Sequence, residues 1–206
     1  NKLWKVPREA ARISARSFTL AWLSLLIAVI LLYIATGDWY IHSNMSDDNA
    51  INYGMRLCIN LLIVLAVIIP AAQFPFQGWL IESVAAPTPV SAIMHAGIVN
   101  AGGVILTRFS PVFNDEIAIS LLLIIASISV LLGSGISLVH VDYKRQLVGS
   151  TISQMGFMLV QCALGAYSAA IVHLILHGVF KATLFLQSGS VVKRFNIPTP
   201  PSVKKS

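Results

Sequence analysis

Charge is scarce in this sequence. Of its 206 residues 11% are Asp, Glu, Lys or Arg, against 56% hydrophobic, whereas soluble domains carry about 25% charged residues. A chain with less than half that share cannot cover a globule with a solvated surface, which excludes a soluble enzyme, a nucleic-acid-binding domain and a disordered tail. Cysteine is rarer still. Cys58 and Cys162 both lie in apolar runs, so they give neither a disulfide framework nor a metal-ligand spacing. There is no Gly-rich phosphate loop, nucleophile elbow or CxxC, and no pair of carboxylates within one apolar run. Nothing here holds a nucleotide, a flavin or an iron–sulfur cluster, and no cofactor is expected. Short alternating strands, the mark of a membrane barrel, are missing too.

Long apolar runs are what the sequence has, with a mean hydropathy of +0.79. A bilayer core about 30 Å thick is crossed by about 20 apolar residues at 1.5 Å rise each. Six windows fit: Ser17 to Thr36, Leu57 to Ala72, Pro89 to Thr107, Ile117 to Val139, Leu147 to Tyr167, and Ser168 to Val192. The fifth carries Ser150, Thr151, Ser153, Gln154 and Gln161; the sixth carries His173, His177 and Lys181. The expected fold is all-α: a polytopic membrane protein of about six transmembrane helices, because backbone polar groups in lipid must pair within their own segment. The expected organisation is a basic segment at 1–16, a transmembrane module at 17–192 and a basic tail at 193–206. The first window is too long for a signal peptide and is followed by no small-residue cleavage site. Asn1 in place of Met and a basic amphipathic opening predict a chain that starts within a longer protein.

The charges fall on alternate loops. With a cytoplasmic N-terminus, eleven of the fourteen basic residues sit inside: Lys2, Lys5, Arg8, Arg12, Arg16, Lys144, Arg145, Lys193, Arg194, Lys204 and Lys205. Only Arg56 and Arg108 lie outside, with Asp38, Asp47, Asp48, Asp115 and Glu116. That asymmetry is the positive-inside pattern. It accounts for the net charge of +6 without nucleic acid and supports the six-crossing count.

Prolines interrupt the second window. Pro70 and Pro75 each remove a backbone donor, yet apolar sequence continues to Ile81 before Glu82. The stretch reads as a discontinuous helix, Leu57 to Ala72, an extended link, then a short half from about Gln77 to Ala86. Irregular backbone at membrane depth is tolerated where it is buried or lines a cavity. The alternative is a helix that ends near Pro70, followed by an interfacial loop with Trp79 as a belt residue. Pro87 and Pro89 then open the third window, with Thr88 as a cap. His95 lies about two turns into it, and small residues from Ala96 to Gly103 permit close packing.

His173, His177 and Lys181 are spaced four and four. Each step advances about 40° past a full turn, so the three share one slowly rotating stripe with about 6 Å between neighbours along the axis. A Lys in mid-span costs several kcal/mol unless hydrated, paired or neutral, and His titrates near neutrality. The pattern points to a proton relay bridged by water. The competing reading is a Lys181 that snorkels to an interface beside a satisfied polar His pair. A zinc site lacks support, since the protease motif needs Glu beside the first His and no carboxylate or Cys is near. His95 is either a path residue or a packing histidine. Glu82 is either a proton acceptor at the cavity mouth or a solvated loop carboxylate. Asp142, Lys144 and Arg145 read as a solvated turn.

Gln73-Phe-Pro-Phe-Gln-Gly-Trp-Leu80, Ala86-Pro-Thr-Pro-Val-Ser-Ala92 with His95, Asp142-Tyr-Lys-Arg145, Ser150-Thr-Ile-Ser-Gln-Met-Gly156 and His173-Leu-Ile-Leu-His-Gly-Val-Phe-Lys-Ala182 cover nearly the whole chain in order. Together they resemble the proton-antiporter module. That module is shared by antiporter-like subunits of respiratory complex I, by Mrp-type cation/proton antiporters, and by the DabB subunits of bacterial inorganic-carbon transporters. Complex I members usually read His-Ala-(Ala/Ser)-Thr-Met-Val where this chain reads His95-Ala-Gly-Ile-Val-Asn-Ala-Gly-Gly103, which looks more like DabB. The resemblance implies a bacterial inner-membrane subunit that uses the proton gradient to drive carbon dioxide uptake as bicarbonate. Its implied partner is DabA, a zinc subunit resembling a β-carbonic anhydrase, and His173, His177 and Lys181 are its implied proton path. Family members usually carry a Lys just before the Ala-Gln-Phe-Pro stretch, where this sequence has Pro70-Ala71-Ala72. The Glu that pairs with that Lys would lie before Asn1, so only part of a proton path is represented. Two other readings remain: a pump subunit of a respiratory NADH-quinone oxidoreductase or Mrp-type antiporter, and a structural membrane anchor without proton flux.

Overall fold

Helices form where apolar runs are bounded by capping residues. The computed structural model describes residues 5–41 and 51–195, with side chains described for 8–41, 51–84 and 86–187. Lys2, Asp47, Asp48 and the 196–206 part of the tail lie outside the described residues. Eight α-helices are present among the described residues: α1 (Lys5–Thr36), α2 (Tyr53–Ile68), α3 (Gly78–Glu82), α4 (Thr88–Ala96), α5 (Ala101–Arg108), α6 (Glu116–Val139), α7 (Tyr143–Ala163) and α8 (Tyr167–Phe195). The basic stretch from Arg8 to Arg16 forms the opening turns of α1 rather than a separate element. The side chain of Asn52 caps α2 through Gly54 N–H at 3.0 Å. Asp115 caps α6 through the amides of Ile117 and Ala118 at 3.0 and 3.1 Å. Asp142, expected in a solvated turn, is exposed but also caps α7, accepting from Lys144 N–H at 2.9 Å. Each such cap satisfies an amide with no partner inside the helix.

Four segments are long and apolar enough to cross a membrane: Arg8–Thr36, Thr88–Arg108, Glu116–Val139 and Tyr167–Gln187. Helix α2 is apolar but has 16 residues, and the link after it carries the chain onward. Helix α7 has 21 residues, long enough to span. Its polar residues are accommodated because Leu147, Val148, Thr151, Ile152, Met155 and Met158 are buried against neighbouring helices. It packs along α6 and α8, while α1 packs along α2 and α4 along α8. Lipid-facing helices must be apolar outside; a central one can be polar on faces that pair within the protein.

The discontinuity after α2 is present. Ile69 to Gln77 separates α2 from α3, and a 3-10 turn, Ser83–Ala85, follows α3. Side chains satisfy the freed backbone. Trp79 Nε1 donates to Ile69 O at 2.8 Å. Gln73 Nε2 donates to Ala71 O at 2.6 Å and to Ile152 O at 3.3 Å. Phe74 N–H donates to Ser129 Oγ of α6 at 2.8 Å. Trp79 is fully buried, so the belt alternative is set aside: the indole serves the break instead of the membrane interface. Pro70 is buried within the link, whereas Pro75, Pro87 and Pro89 are exposed.

The third window differs from the continuous helix expected. It is two helices, α4 and α5, joined by a 3-10 turn at Ile98–Asn100. Gly97, at φ −115° and ψ −69°, ends α4, and Asn100 Nδ2 donates to Ala96 O at 2.7 Å. A side-chain amide that competes for a backbone carbonyl beside a glycine loosens a helix. Thr88 is not the cap either. Pro87 occupies that position, no side chain caps the helix, and Thr88 is already helical.

Candidate functional site

The site is built where α7 and α8 run antiparallel. Gly165, at φ +78°, closes α7 by donating its N–H to Cys162 O at 3.0 Å, a left-handed position that favours glycine. Tyr167 then opens α8, so the chain turns back within a few residues and lays His173, His177 and Lys181 along α7. Lys181 is 1% exposed. Its ammonium donates to Leu147 O at 3.1 Å and to the hydroxyl of Ser150. The snorkelling alternative is therefore set aside: the amine turns inward, onto α7. Both acceptors are neutral, so among the described residues the buried charge has hydrogen bonds without a carboxylate in direct contact. This arrangement is costly unless the proton can leave or water can reach it.

His177, one turn earlier, is 5% exposed, and neither of its ring nitrogens has a hydrogen-bond partner among the described residues. His173 is half-buried. Its Nδ1 lies 3.3 Å from Gln161 Oε1, and its ring is 6.2 Å from that of His177. The three residues line an open cavity of about 520 Å³ together with Ser150, Gln154, Leu176 and Phe180. A water takes up about 30 Å³ of liquid volume, so the cavity has room for several. Buried imidazole nitrogens facing such a space can be satisfied by water.

His95 belongs to a second, drier part. It is fully buried in the last turn of α4. Its Nδ1 is 3.2 Å from Thr151 Oγ1 of α7, and its Nε2 is 3.3 Å from Ser83 Oγ of the 3-10 turn. The ring stacks on Phe185 of α8 at 4.5 Å between centroids. Close approach of α4 to α8 is possible because of Gly178: a Cβ there would sit 3.0 Å from Ala96 O. The structure therefore brings together His173, His177, Lys181 and, across one turn of α7, His95. Glu82 is exposed at the end of α3, next in sequence to Ser83. Among the described residues no three His, Cys, Asp or Glu side chains gather as a metal would need.

Sequence reasoning marked Ser150, Thr151, Gln154 and Gln161 only as polar residues in an apolar window. The places of Ser150, Gln154 and Gln161 beside the α8 row, and of Thr151 beside His95, were not legible, because the pairing of α7 with its neighbours is set by tertiary packing and the turn at Gly165. Ser83 gave no signal, and Phe185 stood out only as a residue that follows the His173 to Ala182 motif. Chemically, the arrangement is a row of titratable groups, with an open cavity along one part and a buried hydrogen-bond cluster at the other.

The chain is 63% identical over its full length to a probable inorganic carbon transporter subunit DabB of Bacillus anthracis, covering 41% of that protein. It is 65% identical over 97% of its length to the probable DabB of Bacillus subtilis, covering 40% of it. It thus spans about two fifths of these relatives. Among solved structures, a chain of the Mrp complex from Dietzia sp. DQ12-45-1b matches 91% of it with a TM-score of 0.76 at 26% identity, over 36% of that chain. Residues 1–199 match the family model described as NADH:quinone oxidoreductase/Mrp antiporter, TM, and the chain belongs to that family.

Proposed function

We propose that this chain is the proton-conducting part of a bacterial inner-membrane subunit that energises inorganic-carbon uptake with a DabA-like zinc partner. The observation that carries the reading is Lys181: an ammonium 1% exposed, held by neutral acceptors at the end of a cavity that also takes in His177 and His173. A structural lysine would have a carboxylate or would reach for an interface. A lysine in a proton path needs neighbours that can receive its proton and a route for water.

In this reading protons pass along His173, His177 and Lys181 through water in the cavity, and His95 extends the row toward α4. Glu82, exposed beside Ser83, is the acceptor at the mouth. The exposed or half-exposed Arg8, Arg12, Arg16, Lys144 and Arg145 face the cytoplasm, and so does the N-terminus, in keeping with the positive-inside pattern. The 63% and 65% identities to DabB subunits support carbon uptake over respiratory pumping as the use of the flux.

The test is growth. A strain lacking the native subunit is complemented with the complete subunit, wild type or Lys181→Ala, and grown at low carbon dioxide. The reading predicts no growth for the variant at wild-type abundance and full growth at high carbon dioxide. Wild-type growth at low carbon dioxide would contradict it. Affinity capture of the complete subunit separates the partners: a single large zinc protein supports this reading, and quinone-reductase subunits support the respiratory one.

A further inference from the structure

The hydrogen-bond inventory around His95 has a surplus of acceptors. Thr151 has one hydroxyl proton and donates it to Leu147 O at 2.8 Å. Ser83 likewise donates its own to Leu80 O at 2.5 Å. Both hydroxyl oxygens then face His95, one at each ring nitrogen, at 3.2 and 3.3 Å. Only a ring protonated on both nitrogens can donate to both. His95 and Thr151 are fully buried, and Ser83 is 4% exposed, so water does not supply the missing donor to a neutral ring. When the ring is neutral, one hydroxyl must turn its proton from its carbonyl to the imidazole.

The two carbonyls are not equivalent. Leu147 O also accepts from Lys181 Nζ at 3.1 Å and from Ser150 Oγ at 3.4 Å. If Thr151 turns away, Leu147 O keeps a charged side-chain donor. Leu80 O accepts from no other side chain among the hydrogen bonds of the described residues, and its 2.5 Å contact with Ser83 is the shorter of the two. Thr151 is therefore the hydroxyl that turns. A carbonyl oxygen accepts a hydrogen bond but does not pass a proton on, so Leu147 O is a shared anchor and not a conducting link.

We propose that Thr151 is a positioning residue that couples the protonation of His95 to the hold on Lys181, by turning its hydroxyl between Leu147 O and His95 Nδ1. With His95 doubly protonated, Thr151 and Lys181 compete for one oxygen and the ammonium is held less firmly. With His95 neutral, Thr151 releases that oxygen, and Lys181 is held there as its charged donor beside the longer contact from Ser150. The charged or titratable groups facing His95 are Lys181 and His177 of α8; α7 and the 3-10 turn present only the two hydroxyls, and Phe185 presents a ring face.

This inference rests on the proton-conducting reading, and its test keeps the two separate. The complete subunit with its partner is reconstituted in liposomes carrying a pH-sensitive dye. Proton flux under an imposed potential is measured against pH for wild type, Thr151→Val, Thr151→Ala, Thr151→Ser and Lys181→Ala. Expected are a flux lowered about tenfold in the valine and alanine variants, a pH midpoint moved by about half a unit or more, and recovery of both by serine, which keeps the hydroxyl. A packing role alone would lower abundance without moving the midpoint. Wild-type flux and midpoint in Thr151→Val or Thr151→Ala, with flux lost in Lys181→Ala, overturn the coupling and leave the conduction reading standing. Full flux in Lys181→Ala overturns both. Where neither hydroxyl-free variant accumulates, Thr151→Ser decides: flux and midpoint like wild type support the coupling, and their loss at normal abundance overturns it.

Discussion

Lys181 Nζ and Thr151 Oγ1 converge on one atom, the carbonyl oxygen of Leu147, at 3.1 and 2.8 Å. One turn of α7 thereby joins the cavity-lining row on α8 to the buried cluster around His95. A buried amine is the better tolerated the more of its hydrogens find an acceptor. Here two acceptors, Leu147 O and the Ser150 hydroxyl, come from α7.

Gly178→Ala is expected to loosen the contact between α4 and α8. The added methyl gains up to about 1 kcal/mol in helix propensity. Its Cβ would meet Ala96 O at 3.0 Å, and overpacking costs about 1–3 kcal/mol. The clash wins because its partner is backbone and cannot rotate away. Thermal melting of the complete subunit in detergent checks this: a lower midpoint is expected, with reduced flux because His177 is the adjacent residue.

Ser129→Ala tests how the break after α2 is held. Ser129 is 1% exposed and accepts from Phe74 N–H at 2.8 Å. Removing the hydroxyl leaves that amide unpaired, at a cost of about 1–3 kcal/mol. The expected result is faster hydrogen exchange confined to the link between α2 and α3. Exchange unchanged there would mean the amide has found another acceptor.

Glu82→Gln addresses the mouth of the path. The side chain is exposed, so the substitution costs little in stability. If Glu82 receives protons there, liposome flux falls about threefold to tenfold, as expected for loss of one acid–base group that water can partly replace. Flux equal to wild type would return Glu82 to the role of a solvated carboxylate.

Much of this arrangement was legible in the residues. The four-and-four spacing of His173, His177 and Lys181 placed them on one stripe, and they line one cavity. Pro70 and Pro75 marked the break after α2. The break at Gly97 was not legible, because a glycine among apolar residues reads equally as a packing position; the signal was Asn100 three residues on, whose amide takes Ala96 O. Nor was the setting of His95. Its partners Ser83 and Thr151 are 12 and 56 residues away in sequence, and only tertiary packing brings three such distant elements together. Trp79 suggested a membrane interface by residue type, whereas its indole N–H was needed by Ile69 O.

The most direct measurement of the central claim is proton flux in liposomes holding the complete subunit and its partner, wild type against Lys181→Ala and Lys181→Arg. With the ammonium gone, the account predicts a fall of at least about a hundredfold, as for loss of an essential acid–base group. Arginine, whose charge is not released, should fall as far. Flux at the wild-type rate in either variant, at equal abundance, would contradict the account and leave the buried lysine as a structural feature.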